Sequence, residues 1–177
     1  MIEKGKGGAN TQTGLKFEKK TDILSLLSKL KGYVILNNHS ITFKGKEVAK
    51  SFKKNPLYKY LSSNKIDYKK ILSKKLLPDE AILVLSKNTL FVIEMKFQKV
   101  AGSVDEKLQT CDFKKKQYQK LMSPLNIDVE YIYILSDWFK HPAYKDVLDY
   151  IISVGCHYYF EVLPLQNLGL PVPSFKK

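Results

Sequence analysis

Three short runs constrain this chain more than anything else in it: EAILVL (80–85), TLFVIEMKF (89–97) and DVEYIYIL (128–135). Each is too short for a core helix, rich in β-branched and aromatic residues, and apolar at nearly every position rather than at alternate ones. Strands of that kind bury both faces, so they belong in the middle of a sheet with helices packed against it. The spacing predicts strands over roughly 80–86 and 89–97, turning at Lys87-Asn88 as an antiparallel hairpin. The segment VDEKLQTCDFKKKQYQKLM (104–122) reads as a helix ending before Pro124. Strand 128–135 follows strand 89–97 through that helix, which predicts a parallel pair.

The remaining elements are placed by periodicity and punctuation. Leu15, Ile23, Leu24, Leu26, Leu27 and Leu30 fit one helical face, so a helix is expected over Leu15–Lys31, stopped by Gly32. YVILNNHSITF reads as a hairpin with Asn37 to Ser40 as its turn. Residues 46–75 are lysine-rich and helix-leaning, with a break at Pro56, and carry no linker composition. A helix near 143–153, a last strand near 156–163 and an irregular Pro-rich tail complete the chain. The expected fold class is α/β (α+β mixed): a central mixed β-sheet flanked by helices, in a single domain over 1–177.

Charge narrows the partners. Lysines and arginines number 30 against 17 acids, all 30 are lysine, and the net charge is +13. Such a surplus favours a polyanion, nucleic acid first. Without arginine the chain lacks the commonest bidentate reader of guanine, so base contacts fall to Lys, Asn, Gln, Ser, Thr and main chain. No apolar run approaches the roughly 20 residues that span a bilayer. The N-terminus MIEKGKGGANTQTG has no apolar stretch of the signal-peptide kind, so no membrane and a cytoplasmic location are expected. Cys111 and Cys156 have neither disulfide-framework nor metal-site spacing. His39, His141 and His157 have no metal-ligand spacing either.

Against this background the charged residues of the hairpin stand out. Asp79 sits where the first strand begins and Glu94 near the end of the second, so an antiparallel pairing brings both to one end of the sheet. Glu94 and Lys96 are two apart and project from the same face. Unpaired charge in a buried strand is costly, which argues for a site rather than a plain strand. Two carboxylates side by side repel unless a cation lies between them. Hard oxygen ligands suit Mg²⁺, with Mn²⁺ as a substitute, and the Met95 backbone carbonyl is a further candidate ligand. Such a metal polarises a phosphodiester and lowers the pKa of a bound water.

PD, fourteen intervening residues, then EMK resembles the PD-(D/E)XK nuclease superfamily, over roughly residues 14–136. The resemblance implies a restriction-endonuclease-like core, αβββαβ. Its metal ligands would be Asp79 and Glu94 and its catalytic lysine Lys96. A glutamate on the first core helix would be Glu18, and a supporting glutamine Gln98. Within the superfamily, the stretches GLKFEKKTD, EMKFQKVAGSVDEKLQT and YFEVLPLQNLGLP are most similar to small type II restriction endonucleases. This implies a magnesium-dependent, sequence-specific endonuclease acting on double-stranded DNA, for which a two-fold homodimer is the geometric expectation. A Holliday-junction resolvase, a repair nicking nuclease and a non-catalytic DNA-binding module are the alternatives.

Candidate DNA contacts come from composition. Asn10, Thr11, Gln12 and Thr13 lie in a Gly-rich loop and could reach phosphates or base edges. Lys107 and Gln109 follow the second strand closely. Lys114, Lys115 and Lys116 with Tyr118 form the densest cationic stretch, with a solvated helix face as the competing reading.

Overall fold

The computed structural model describes residues 14–17, 22–37, 39–98 and 104–173. A seven-stranded mixed sheet forms its centre. In chain order the elements are β1 (Gly14–Lys16), α1 (Ile23–Ser28), β2 (Tyr33–Leu36), β3 (Ser40–Phe43), β4 (Lys46–Ser51), α2 (Pro56–Ser63), β5 (Glu80–Val84) and β6 (Thr89–Lys96). They continue with α3 (Val104–Leu108), α4 (Cys111–Met122), β7 (Asp128–Leu135), α5 (Lys145–Ser153), β8 (His157–Phe160), β9 (Val162–Pro164) and α6 (Leu165–Leu168). The sheet runs β2-β3-β4-β5-β6-β7-β8, antiparallel as far as β6 and parallel from β6 to β8.

The doubly apolar runs occupy its middle. All of β5 is buried, as are the first six residues of β6 and the last five of β7. One hydrophobic cluster fills the face under α2, α4 and α5, with Leu57, Leu83, Val92, Leu121, Tyr131 and Ile151. The other lies under α1 and the C-terminal segment, with Ile23, Leu27, Ile82, Ile93, Ile134 and Leu168. Burying one such side chain contributes roughly 1.5–3 kcal/mol, so these two layers supply the main driving force. Among the described residues no helix is long and apolar enough to cross a membrane.

Several expected elements change form. The helix expected over Leu15–Lys31 is instead β1 and a shorter α1. Leu15 lies a full eight residues before Ile23, with no apolar residue on the shared face between them. It is buried instead by pairing β1 antiparallel to β9. Asp22 caps α1, accepting hydrogen bonds from the Leu24 and Ser25 N–H groups at 2.9 and 3.2 Å. Gly32, at φ +92°, ends the α1 region. Residues 46–51 form a strand rather than the helix-leaning segment expected there. Pro56 opens α2 instead of breaking a helix, because a first-turn residue has no helical N–H bond to lose.

The 104–122 helix is interrupted at Gln109-Thr110 and becomes α3 and α4. The last strand bends at Glu161, whose φ is +55°. That bend keeps β8 in the main sheet and sends β9 across to β1. The tail expected to be irregular contains α6, with Leu165, Leu168 and Leu170 buried and Gly169 closing it at φ +77°.

Candidate active site

The β5–β6 ladder pairs Glu80 with Ile93, so the next residues outward are Asp79 and Glu94. Strand alternation aligns both with Ala81, Leu83 and Val92 on the face covered by α4. The Asp79 carboxylate accepts a hydrogen bond from the Met95 N–H at 3.4 Å, which ties the start of β5 to β6. Asp79 is half-buried and Glu94 is 7% exposed. Lys96, two residues along the same face, sits 3.1 Å from a Glu94 oxygen.

A second cation completes this cluster. Lys114 of α4 donates to both Glu94 oxygens, at 2.7 and 3.0 Å. Burial alone would raise the Glu94 carboxyl, but Lys114, Lys96 and the nearby Tyr131 hydroxyl outweigh it and hold the group below the ordinary glutamate range. Tyr131 Oη lies outside good hydrogen-bond geometry with any described partner, yet close enough to Glu94 to favour its ionised form. Burial, with the Glu94 charge second, pushes the Tyr131 hydroxyl far up. Tyr118 is raised likewise, by burial first and then by the charges of Tyr58, Glu94 and Asp79. Neither phenol ionises near neutrality, so both stay neutral beside the Asp79 and Glu94 carboxylates.

Those carboxylates are hard oxygen donors at one sheet end, suited to a Mg²⁺ ion that keeps several waters. Among the described residues no three His, Cys, Asp or Glu side chains cluster as a ready metal cage. The candidate donors are the Asp79 and Glu94 carboxylates, and the Lys96 and Lys114 ammonium groups lie against Glu94. Met95, whose carbonyl is the further candidate ligand, lies in register with Ile134 of β7. The Gln98 main chain is held by Ser136, whose hydroxyl is 3.2 Å from both its N–H and its carbonyl.

Glu18 and the loop residues Asn10, Thr11, Gln12 and Thr13 lie outside the described residues. Lys107 and Gln109 are exposed at the α3–α4 junction, and the Lys107 carbonyl accepts hydrogen bonds from Tyr133 and Thr110.

The cationic helix stretch needs correction. Tyr118 is 2% exposed and packs in the core, so it offers no ring to DNA. Lys114 turns inward to Glu94. Lys115 bridges Glu130 at 3.1 Å and the Gly155 carbonyl at 2.7 Å, pinning α4 to the β7–β8 side. Of the three lysines, Lys116 stays on the surface, paired with Asp112 one turn earlier. The helix therefore presents no uniform basic face. A signal for Lys114 was present in the sequence: it stands three residues after Cys111 and four before Tyr118, on the stripe those buried residues define.

Two further features went unread. Glu80, adjacent to Asp79, points to the opposite face and is 1% exposed. Its Oε1 accepts from Lys53 at 2.9 Å, and Lys53 also contacts Asp22 at 3.1 Å, joining the α1 cap to β5. Burial raises the Glu80 carboxyl above its ordinary value, with Lys53 pulling the other way.

The second is a cavity of about 710 Å³ lined by Asn55, Tyr58, Lys59, Ser62, Tyr68 and Lys75. The Lys75 ammonium lies 4.9 and 5.0 Å from the Tyr58 and Tyr68 ring centres. The Tyr58 hydroxyl, at the edge of this groove, donates to the Leu76 carbonyl at 2.8 Å and accepts from the Leu76 N–H at 2.7 Å, three residues before Asp79.

In comparisons with known proteins, no family model matches the chain, and no curated protein or solved structure matches it.

Proposed function

We propose that this chain is a divalent-metal-dependent endonuclease of the PD-(D/E)XK kind, hydrolysing phosphodiester bonds in double-stranded DNA. The observation that carries this reading is Asp79 opposite Glu94 at one sheet end, with Lys96 on the Glu94 carboxylate. The net charge of +13 supports a polyanionic substrate.

Asp79 and Glu94 would hold the metal, which supplies Lewis-acid polarisation of the phosphate and an acidified water. Lys96 keeps an ammonium beside the reacting phosphate, where it balances charge that grows in the transition state. The buried, un-ionised Tyr118 and Tyr131 exclude bulk water from the core side of Glu94. Site-specific cleavage, in the manner of a cytoplasmic type II restriction enzyme, is the form proposed. A two-fold pair of chains would then serve the two strands.

Plasmid DNA incubated with Mg²⁺, and in parallel with EDTA, tests the reading. Discrete fragments that appear with Mg²⁺ and vanish with EDTA are expected. Products confined to four-way junctions would make it a resolvase. Tight duplex binding without products under Mg²⁺ or Mn²⁺ would make it a DNA-binding module.

The groove of Lys59 and Lys75, tied through Tyr58 to the segment that leads into Asp79, is the proposed path of the DNA backbone. Each lysine on a phosphate adds about 0.9 to the slope of log affinity against log salt. Replacing both by alanine should therefore flatten that slope by about 2 and weaken binding to all sequences alike. An unchanged slope would move the DNA path elsewhere.

A further inference from the structure

We propose that Lys114 is a built-in competitor for the metal at Glu94, displaced when a DNA phosphate arrives, so that divalent metal and DNA bind cooperatively. This rests on the nuclease reading and adds its regulation.

Glu94 has two oxygens, and an ammonium occupies each of them. Lys114 contacts both, and Lys96 contacts Oε2 as well. A Mg²⁺ ion ligated by Glu94 would sit about 2.0–2.1 Å from one oxygen. An ammonium within 3 Å of that same oxygen would then face a divalent charge at close range, a repulsion that is relieved when the ammonium moves away.

Lys114 is the one free to go. Lys96 is fixed to β6 two residues from the carboxylate, whereas Lys114 reaches over from α4. Its flexible four-carbon stem can redirect the ammonium without moving the helix. The helix is held independently, through buried Tyr118, Leu121 and Met122 and through Lys115 on Glu130 and the Gly155 carbonyl. The Lys114 side chain is partly exposed at 28%, so solvent, and a phosphate approaching from solvent, can receive it.

Without DNA, Lys114 stays on Glu94 and metal affinity is low. A phosphate that takes Lys114 frees Glu94 for metal. By linkage, bound metal raises DNA affinity by the same factor. The device restrains metal loading until the substrate is present.

The test uses the full chain and Mn²⁺, titrated while free Mn²⁺ is followed by electron paramagnetic resonance. Titrations are run without DNA and with a short phosphorothioate duplex whose integrity is checked on a gel. For the wild type, the duplex should tighten Mn²⁺ binding about 5–150-fold, the usual span of coupling between sites. Lys114→Met should bind Mn²⁺ tightly without DNA and gain little from the duplex. Lys114→Arg, which keeps the charge, should restore the weak DNA-free affinity. If Lys114→Met melts early by circular dichroism, Lys114→Gln takes its place.

Equal Mn²⁺ affinity in wild type and Lys114→Met, abolished by Asp79→Asn, would overturn the competitor role and leave the nuclease reading standing. Failure of every form to bind Mn²⁺, with or without DNA, would overturn both.

Discussion

Asp79→Asn should fold and melt like the wild-type chain while losing at least about 10³-fold in Mg²⁺-dependent cleavage. The substitution keeps the shape of the side chain and an oxygen that still accepts from the Met95 N–H. Asp79 is half-buried and outside the packed core, so little stability depends on its charge. What disappears is one of the two anionic donors at the sheet end. Glu94→Gln should reduce cleavage as strongly but is a less clean test. It leaves Lys96 and Lys114 facing each other without their counter-ion. Lys96→Met should retain metal binding and lose turnover, separating the two roles by equilibrium Mn²⁺ binding against cleavage rate. An Asp79→Asn protein that cuts at near wild-type rate would remove the proposed mechanism.

The second large effect lies on the opposite face. Lys53→Met should destabilise the fold by about 2–4 kcal/mol in denaturant titration, because it strips a buried carboxylate of its cation. The lower part of that range reflects the partial exposure of Lys53, 43%. The loss should depend on pH. Glu80 has a folded value raised above its ordinary 4.5, so its protonated form favours the folded state. Stability linked to Glu80 is thus present at low pH and lost as pH rises through the raised value. The Lys53→Met deficit should be largest near neutrality and shrink as pH falls toward 4.5. Lys53→Met with Glu80→Met should recover most of the stability, since two apolar groups leave no charge to solvate. If the double variant is no more stable than the single, Lys53 acts mainly through Asp22 and the α1 cap.

How far the sequence carried depends on the range of the interactions involved. The hairpin of β5 and β6, the parallel placement of β7 and the pairing of β2 with β3 were all legible. They follow from runs of apolar β-branched residues and from turns, which are local signals. Period-two alternation likewise put Glu94 and Lys96 on one face. The failures came where a local pattern had two outlets. Leu15 matched a helical face, but an antiparallel partner 148 residues away in sequence, Leu163, buried it as a strand. Pro56 is compatible with a break or with a first turn, and the packing of Leu57 and Leu61 on the core selected the first turn.

The chain by itself determined a lysine-only, strongly basic protein with a central sheet buried on both faces and an acid pair aimed at one end of it. Only the tertiary structure decided which cations meet those acids. In the run of Lys114, Lys115 and Lys116, composition makes the three alike. The 100° step of the helix makes them different, because α4 packs on the sheet through Cys111, Tyr118 and Leu121. That packing turns Lys114 onto Glu94, Lys115 onto Glu130 and Lys116 to solvent, where it meets Asp112. The same one-residue alternation separates Asp79, beside Glu94, from Glu80, sealed against Lys53 on the far side. Charge count and spacing are properties of the chain. The distance between opposite charges is set by how its elements pack.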